Sequence, residues 1–133
     1  MQTTLAKRVL IIDDALDNQV LLRLLLESKG YVVDCTSNGQ EALDLLVDQD
    51  GLPDVILVDL RMPVMDGLDF LRWKRDSSRF RDIPTVVMSA EGDRATIRAK
   101  TAPFDLTNRL GILTKPLNMA SVLKSVERSS YLH

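Results

Sequence analysis

Five polar side chains stand where short apolar runs of this sequence end. Asp13 and Asp14 follow VLII, Asp59 follows VILV, Ser89 follows TVVM and Lys115 follows GILT. The carboxyl ends of the strands in an open parallel sheet share one edge, where ligands bind. If these runs are parallel strands, side chains that are far apart in the chain converge on one pocket.

The pocket would hold three carboxylates, one hydroxyl and one ammonium group. Crowded carboxylates repel one another, so at neutral pH they need a cation or must take up protons. Mg²⁺ suits them, because it takes one or two protein carboxylates together with waters and a phosphate oxygen. A remaining carboxylate is free to attack phosphorus and form an aspartyl phosphate. The ion and Lys115 would offset charge on the transferring group, and Ser89 could donate to one of its oxygens. These residue types predict a Mg²⁺-assisted phosphoryl site, but they do not choose the nucleophilic aspartate.

Each residue also has an ordinary structural interpretation. Asp13 or Asp14 alone could cap the first helix, Ser89 could be a common strand-end serine, and Lys115 could be a solvated surface lysine. Asp59 is harder to explain in this way, since an unpaired carboxylate beside VILV would be costly to bury. The occurrence of all five residues at four strand ends favours the functional interpretation.

The apolar runs predict five strands. Most of them show no polar alternation and are rich in β-branched residues, which is typical of strands covered on both faces of a parallel sheet. The predicted strands are Val9–Ile12, Tyr31–Val33, Val55–Val58, Thr85–Met88 and Gly111–Leu113.

Stretches of helical period predict five helices between and after these strands. The first would turn Val20, Leu21, Leu24 and Leu25 to the core. Strict alternation of five strands with five helices indicates a doubly wound α/β fold with three layers. The residues expected to bound the helices are, in chain order, Gly30 as a stop, Ser37 and Gln40 as a capping box, Asp66-Gly67 as a start, Pro103 as the stop of a helix over about 93–102, and Asn118 as a cap.

Length and composition indicate one globular domain. With 133 residues, 45% of them hydrophobic and 27% charged, residues 1–133 can form one core but not two ordinary domains. The net charge of -2 argues against nucleic-acid binding through overall charge, and Trp73-Lys74-Arg75 is predicted to be a partly buried tryptophan beside solvated charges. No apolar run is long enough to span a membrane. A single cysteine, Cys35, cannot form an internal disulfide, which favours the cytoplasm.

The sequence resembles the response-regulator receiver domains of two-component signalling, which include the chemotaxis regulators, over essentially its whole length. The segments that carry the resemblance are VLIIDD at 9–14, VILVDLRMPVMDG at 55–67, IPTVVMSA at 83–90 and LTKP at 113–116. The middle segment is highly specific, because Asp59 is followed by Met62-Pro63 and Asp66-Gly67. The resemblance implies a flavodoxin-like fold with strand order 2-1-3-4-5, the order known for the chemotaxis member of the family.

The resemblance also implies a role for each residue of the pocket. The Lys115-Pro116 bond resembles one that is usually cis in the family. The implied roles are the phosphoacceptor for Asp59, the acids of the Mg²⁺ site for Asp13 and Asp14, the switch hydroxyl for Ser89, the lysine that pairs with the phosphoryl group for Lys115, and a further ligand of the ion, beside Asp59, for the backbone carbonyl of Arg61.

The implied function is a phosphoacceptor switch that catalyses only its own phosphorylation and dephosphorylation. A sensor histidine kinase or histidine phosphotransfer protein would phosphorylate Asp59. The face of the fourth helix, fifth strand and fifth helix would then control a downstream protein, and a phosphorylation-dependent homodimer is a further option. The alternatives are a pseudo-receiver that acts by docking and a Mg²⁺-dependent aspartyl-phosphate phosphatase. Such phosphatases usually place a second aspartate two residues after the nucleophile, where this chain has Arg61. A flavodoxin-like cofactor binder is disfavoured, since no Ser/Thr/Gly-rich loop follows the first strand.

The sequence departs from the family pattern near the expected output face. Ile112 stands where the family usually has Tyr or Phe, which predicts an output mechanism without an aromatic rotamer switch. The stretch before Lys115 is longer than in typical members, and the extra residues are expected within 101–108. Phe104 and Leu106 in that segment would either cover the fourth helix or form part of a partner surface. Arg61 and Glu91 occupy positions that tune phosphoryl lifetime in the family.

Overall fold

A computed structural model describes residues 6–106 and 109–131, in which strands and helices alternate along the chain. A short 3-10 turn, Ala102–Phe104, follows the fourth helix. The strands are β1 (Arg8–Ile12), β2 (Val32–Thr36), β3 (Val55–Asp59), β4 (Thr85–Ser89) and β5 (Gly111–Thr114), and the helices are α1 (Leu16–Ser28), α2 (Gly39–Asp48), α3 (Gly67–Arg75), α4 (Arg94–Thr101) and α5 (Met119–Ser130).

The five strands form one parallel sheet in the order β2-β1-β3-β4-β5. The doubly wound, flavodoxin-like α/β fold and its strand order are therefore confirmed. The register places the last residues of neighbouring strands side by side, as Ile12 pairs with Val58, Asp59 with Met88, and Ser89 with Thr114. Polar residues that end or follow these strands consequently share one edge of the sheet.

Two apolar cores cover the two faces of the sheet. Successive side chains of a strand point to opposite faces, so β1 contributes Leu10 to one core and Ile11 to the other. One core lies against α2, α3 and α4, and the second lies against α1 and α5. All residues of β3 and β4 are buried, which explains the unbroken apolar stretches Val55–Val58 and Val86–Met88 within them.

The core-facing side of α1 differs from the prediction. Leu22 and Leu26 are fully buried, whereas Val20, Leu21 and Leu24 are about half exposed or more. Apolar residues occupy nearly every side of this helix, so periodicity alone could not select the side that packs. Three leucines and one valine, Leu16, Val20, Leu21 and Leu24, therefore lie on the outer surface of α1.

The helix caps largely follow the sequence signals. Asp66 and Asn118 accept hydrogen bonds from the first turns of α3 and α5 as predicted. The capping box of α2 lies one residue later than predicted, because the side chain of Asn38 accepts from Glu41 N and the Glu41 carboxylate accepts from Ser37 N. The change does not affect the position of α2 in the fold.

The segment after α4 packs against α3. The guanidinium groups of Arg72 and Arg75 lie 5.9 Å and 5.2 Å from the centre of the Phe104 ring. Phe104 therefore packs against the protein itself, as one of the two predicted alternatives required, but it covers α3 and not only the fourth helix. Leu106, in contrast, is 55% exposed. The remainder of the predicted insertion, residues 107 and 108, lies outside the described residues.

The prediction of solvated charges beside Trp73 is wrong for Lys74. Trp73 stacks on Phe80 with 5.2 Å between ring centres. Lys74 is buried and donates a hydrogen bond of 2.9 Å to the carbonyl of Arg81. Burial lowers the pKa of the Lys74 ammonium to about 8, and Asp82 opposes this shift. Within the described residues, no helix has the length and apolar character needed to cross a membrane.

Candidate functional site

Four of the predicted site residues meet at the carboxyl edge of the sheet. Asp13, Asp14 and Asp59 each offer a carboxylate oxygen, and these atoms lie within 4.8 Å of one another. Lys115 follows β5, and its ammonium group contacts two of the three carboxylates. The expected convergence of these strand-end residues is therefore found.

Asp13 is the most deeply buried member of the cluster. Its side chain has no exposed surface, and Oδ1 accepts a hydrogen bond of 2.9 Å from Ala15 N. Oδ2 accepts from Asn18 Nδ2 at 3.2 Å and from Lys115 Nζ at 3.4 Å. These contacts fix Asp13 beneath the surface, and the N-cap residue of α1 is Ala15 rather than either aspartate.

Asp59 and Lys115 form the central ion pair of the site. Lys115 Nζ donates to Asp59 Oδ2 at 2.7 Å, and Arg61 N donates to Asp59 Oδ1 at 3.0 Å. The Asp59 side chain is 9% exposed and that of Lys115 18% exposed. The Lys115-Pro116 peptide bond is cis, as the resemblance implied. Asp59 is thus held in place while part of its carboxylate stays within reach of solvent.

The site carries more negative charge than its one ammonium group can balance. Burial raises the pKa of Asp59, the contacts from Lys115 and Arg61 N lower it, the charge of Asp13 raises it, and the net shift is upward. Burial by itself lowers the pKa of Lys115, but the Asp59 and Asp13 carboxylates outweigh this and raise it. Three carboxylates and one ammonium leave a formal excess of two negative charges. A divalent cation would neutralise that excess.

The donor set fits a hard divalent cation. All three donors are carboxylates, and Asp14 is exposed beside the buried Asp13 and Asp59. Mg²⁺ prefers oxygen ligands and usually keeps several waters, so a partly open site suits it. No histidine or cysteine belongs to the described cluster, which disfavours softer transition metals.

Ser89 ends the neighbouring strand, but its hydroxyl is engaged outside the carboxylate cluster. Ser89 Oγ donates to the carbonyl of Glu91 at 3.0 Å and accepts from Glu91 N at 3.1 Å. Above it, the exposed side chains of Arg61 and Glu91 form an ion pair. The structure therefore brings Ser89 to the correct edge, but among the described residues its hydroxyl makes no hydrogen bond to Asp59. The ion pair of Arg61 and Glu91 joins the β3–α3 loop to the β4–α4 loop.

Close packing holds the loop between β3 and α3. A Cβ atom on Gly67 would collide with the carbonyl oxygen of Asp59, so only glycine lets α3 begin this close to the strand. Met65 accepts a hydrogen bond of 2.9 Å from Gly39 N, which ties the loop to α2. The loop that carries Arg61 is consequently fixed at both ends.

Sequence reasoning missed the amide side chains that support Asp13. Asn18 binds the Asp13 carboxylate, and Gln19 Nε2 donates to the Asp13 carbonyl at 2.6 Å. Both residues lie in the first turn of α1, one turn beyond the acidic pair. Two amide residues one helical turn beyond an acidic pair were the sequence signal that could have predicted this support of Asp13.

Comparison with known proteins gives a family for the whole arrangement. The family model of the response regulator receiver domain matches residues 9–127. The polar-differentiation response regulator DivK of Brucella anthropi is 33% identical over 129 residues, covering 95% of this chain and 96% of that protein. DivK of Brucella ovis is 31% identical over 131 residues, covering 96% of this chain and 98% of that protein.

Solved structures agree with the sequence relatives. Chemotaxis response regulator CheY4 of Vibrio cholerae has a TM-score of 0.81 at 29% identity, covering 94% of this chain and 99% of that chain. The receiver domain of sensor histidine kinase PA1611 from Pseudomonas aeruginosa has a TM-score of 0.80 at 25% identity, covering 95% of this chain and 98% of that chain. That structure has a magnesium ion coordinated in its active-site cleft.

Receiver domains are signalling proteins that interact with kinases or phosphotransfer proteins and with downstream targets, and they are generally not classical enzymes. The match spans nearly the whole chain, the strand order agrees, and the acidic pocket lies at the expected edge of the sheet. The chain therefore belongs to the family of response regulator receiver domains.

Proposed function

We propose that the chain is a Mg²⁺-dependent phosphoacceptor switch that receives a phosphoryl group on Asp59. The observation that carries the proposal is the 2.7 Å contact between Asp59 Oδ2 and Lys115 Nζ inside a cluster of three carboxylates. A histidine kinase or histidine phosphotransfer protein in the cytoplasm is the proposed donor. An oxygen of Asp59 bonds to phosphorus as the donor's nitrogen–phosphorus bond breaks and its imidazole leaves.

Accessibility and neighbours favour Asp59 as the nucleophile. Asp13 has no exposed surface, and both of its oxygens accept hydrogen bonds, so no donor can reach it. Asp14 is exposed but has no ammonium contact among the described residues. Asp59 combines partial exposure with Lys115, whose charge offsets the negative charge that develops on a transferring phosphoryl group.

Asp13, Asp14 and Asp59 would hold Mg²⁺ together with the backbone carbonyl of Arg61. When bound, the ion supplies charge compensation for the phosphoryl oxygens. The protein's own contribution is to hold the carboxylates together, through Asn18 on Asp13 and Arg61 N on Asp59.

Phosphorylation would change the contacts of Ser89 and Lys115. A phosphoryl group adds about two negative charges and several strong acceptor oxygens. The Ser89 hydroxyl, now bound to Glu91, would turn to a phosphoryl oxygen and release the loop that leads into α4. Ile112 is 1% exposed and has no polar tip, so the change would reach the α4–β5–α5 face through backbone movement rather than an aromatic rotamer.

The outer surface of α1 is the proposed docking site for the phosphodonor. Leu16, Val20 and Leu24 are 69%, 50% and 64% exposed and follow one another at helical spacing. Leu16 lies two residues after Asp14, so this apolar stripe leads directly to the site. A donor that packs on the stripe would bring its phosphohistidine to Asp59.

Phosphoryl uptake with and without Mg²⁺ tests the proposed chemistry. Incubation with acetyl phosphate should add one phosphoryl group in the presence of Mg²⁺ and very little after chelation. Uptake that does not depend on a divalent cation would contradict the metal site. Absence of any uptake would favour the alternative of a pseudo-receiver that acts by docking.

The docking surface is tested by Leu24→Glu with Val47→Glu as the matched control. Val47 is 51% exposed and lies on α2, outside the proposed stripe. Leu24→Glu should slow transfer from a phosphorylated phosphotransfer protein and leave labelling by acetyl phosphate unchanged, while the control should affect neither. Equal effects of the two substitutions would contradict the assignment of α1.

A further inference from the structure

A groove lined by four arginines lies on the side of the sheet opposite β2. Its volume is about 290 Å³, its floor includes Gly111 and Ile112 of β5, and no aspartate or glutamate is among its lining residues. Both α4 and α5 pack on β5 and form its walls. The arginines are Arg94 and Arg98 of α4, Arg109 before β5, and Arg128 of α5.

Three of these arginines lack partners among the described residues. Arg94, Arg98 and Arg128 are exposed, and their side chains make no ion pair or hydrogen bond there. Arginines elsewhere on the surface do pair with carboxylates, for example Arg8 with Asp34 and Arg72 with Asp69. Arg94, Arg98 and Arg128 therefore give the groove three positive charges that no described residue neutralises.

The stability of α4 does not account for Arg94. Arg94 is the first residue of the helix, where a positive charge opposes the helix dipole, and the first turn contains no acidic residue. Arg94 and Arg98 are spaced i, i+4, and like charges at that spacing destabilise a helix. Arg98 lies in the last turn, where a positive charge is favourable, so it is the placement of Arg94 and its repulsion of Arg98 that the stability of α4 does not explain.

Nearby carboxylates are directed elsewhere. Asp93 accepts from Thr96 N and caps α4, and Asp105 accepts from the backbone N–H groups of Arg109 and Leu110. Glu127 of α5 is not among the residues that line the groove. The charges of Arg94, Arg98 and Arg128 are thus open to an external anion.

We infer that this groove binds an acidic α-helical segment of a downstream protein, with carboxylates one helical turn apart. The rise of 1.5 Å per residue puts positions i and i+4 about 6 Å apart along an axis, on a partner helix as on α4. Two carboxylates with that spacing can match Arg94 and Arg98 while Arg128 holds the opposite side. Guanidinium groups pair with carboxylates through two parallel hydrogen bonds, which adds geometric selectivity.

The shape and charge of the molecule disfavour other anionic occupants. Addition of a partner strand to β5 would need a longer free edge, because only two of its residues line the groove. A long polyanion such as nucleic acid would also meet the acidic cluster at the carboxyl ends of the strands on a chain of net charge -2. A local acidic helix satisfies the arginines without that repulsion.

The inference deepens the proposed function by naming the chemistry of the downstream partner, and it rests on that function for the use of this face as the output. The test uses a labelled amphipathic helical peptide of leucine, alanine and glutamate with glutamates at i and i+4. Its binding to the full chain is measured by fluorescence anisotropy, with and without Mg²⁺ and beryllofluoride. Matched peptides carry glutamine or lysine in place of glutamate, and a single-stranded DNA serves as the nucleic-acid probe.

The variant Arg94→Gln/Arg98→Gln should weaken binding of the glutamate peptide by about tenfold or more, as removal of paired interfacial charges does. Lys29→Gln/Arg81→Gln removes the same charge from exposed positions outside the groove and should leave binding unchanged. Higher salt should weaken the wild-type complex. In NMR spectra of the full chain, the backbone amides whose chemical shifts change on addition of the peptide should lie in α4, β5 and α5.

Equal binding of the glutamate and lysine peptides, or of wild type and the groove variant, would overturn the inference. Tighter binding of DNA than of the peptide would also overturn it. Phosphoryl uptake is recorded in the same samples to separate the two proposals. Normal uptake without peptide binding contradicts the inference alone, whereas peptide binding without uptake supports it and contradicts the phosphoacceptor function.

Discussion

Replacement of Lys74 by methionine should stabilise the protein at neutral pH. Lys74 is 7% exposed, and its ammonium has one hydrogen-bond acceptor among the described residues, the carbonyl of Arg81. Burial lowers its pKa from 10.5 to about 8, with a smaller opposing effect from Asp82. Methionine keeps much of the side-chain volume and removes the buried charge.

The expected gain follows from the lowered pKa of Lys74. A tenfold change in proton affinity corresponds to about 1.4 kcal/mol, so burying the charged form costs roughly 3 kcal/mol when the folded and unfolded states are both protonated. Loss of the hydrogen bond to the Arg81 carbonyl reduces the expected gain in the free energy of unfolding by about 1 kcal/mol. Lys74→Met should therefore raise the free energy of unfolding by about 2 kcal/mol at pH 7.

The gain should disappear as the pH rises. Below pH 8 both the folded and unfolded states carry the Lys74 proton, so the full penalty applies to the wild type. Between pH 8 and 10.5 the folded state has lost the proton while the unfolded state retains it, so the penalty declines with increasing pH. Urea unfolding of both proteins from pH 7 to 10 measures the difference, in which all other titrating groups cancel.

The control is Lys29→Met, which removes an exposed lysine and should change the free energy of unfolding by no more than about 0.5 kcal/mol. If Lys74→Met is destabilising at pH 7 and its effect on the free energy of unfolding does not vary with pH, burial of the Lys74 ammonium does not destabilise the fold. That result would refute the reasoning.

Three further substitutions test the site and the packing around it. Asp14→Ala should reduce Mg²⁺ affinity by about tenfold or more, because even residues behind the metal ligands contribute that much, and unchanged binding in isothermal titration would contradict its placement. Asn118→Ala should cost about 1 kcal/mol in urea unfolding, since its side chain caps α5 through Ser121 N, and a neutral result would show that the cap is dispensable. Phe104→Ala should accelerate amide exchange in 94–104, because the ring no longer packs against Arg72 and Arg75, and unchanged protection there would show that the plug does not hold α4.

The fold could be predicted because its strands have an unambiguous sequence pattern. Unbroken apolar runs rich in β-branched residues, such as Val55–Val58, are typical of strands covered on both faces of a sheet. The packing side of α1 could not be predicted, since its apolar residues surround the helix and only the tertiary structure selects Leu22 and Leu26. The strand order came from the resemblance, because alternation alone does not determine how crossovers arrange the sheet.

The sequence could predict which strand-end residues form the site, but it could not predict the hydrogen bonds that these residues make. Asp13, Asp59 and Lys115 are separated in sequence and converge because parallel strands end together. The engagement of Ser89 with Glu91 depends on loop conformation, for which the sequence has no periodic signal. The arginine groove could not be predicted either, because its members come from α4, α5 and the segment before β5.

Intact-mass measurement of Asp59→Asn tests the central claim most directly. The variant and the wild type are incubated with acetyl phosphate and Mg²⁺, and Asp48→Asn, an exposed position at the end of α2, provides the same chemical change away from the pocket. The wild type and the control should each gain one phosphoryl mass, and Asp59→Asn should gain none. Full labelling of Asp59→Asn would contradict the assignment of this aspartate as the phosphoacceptor.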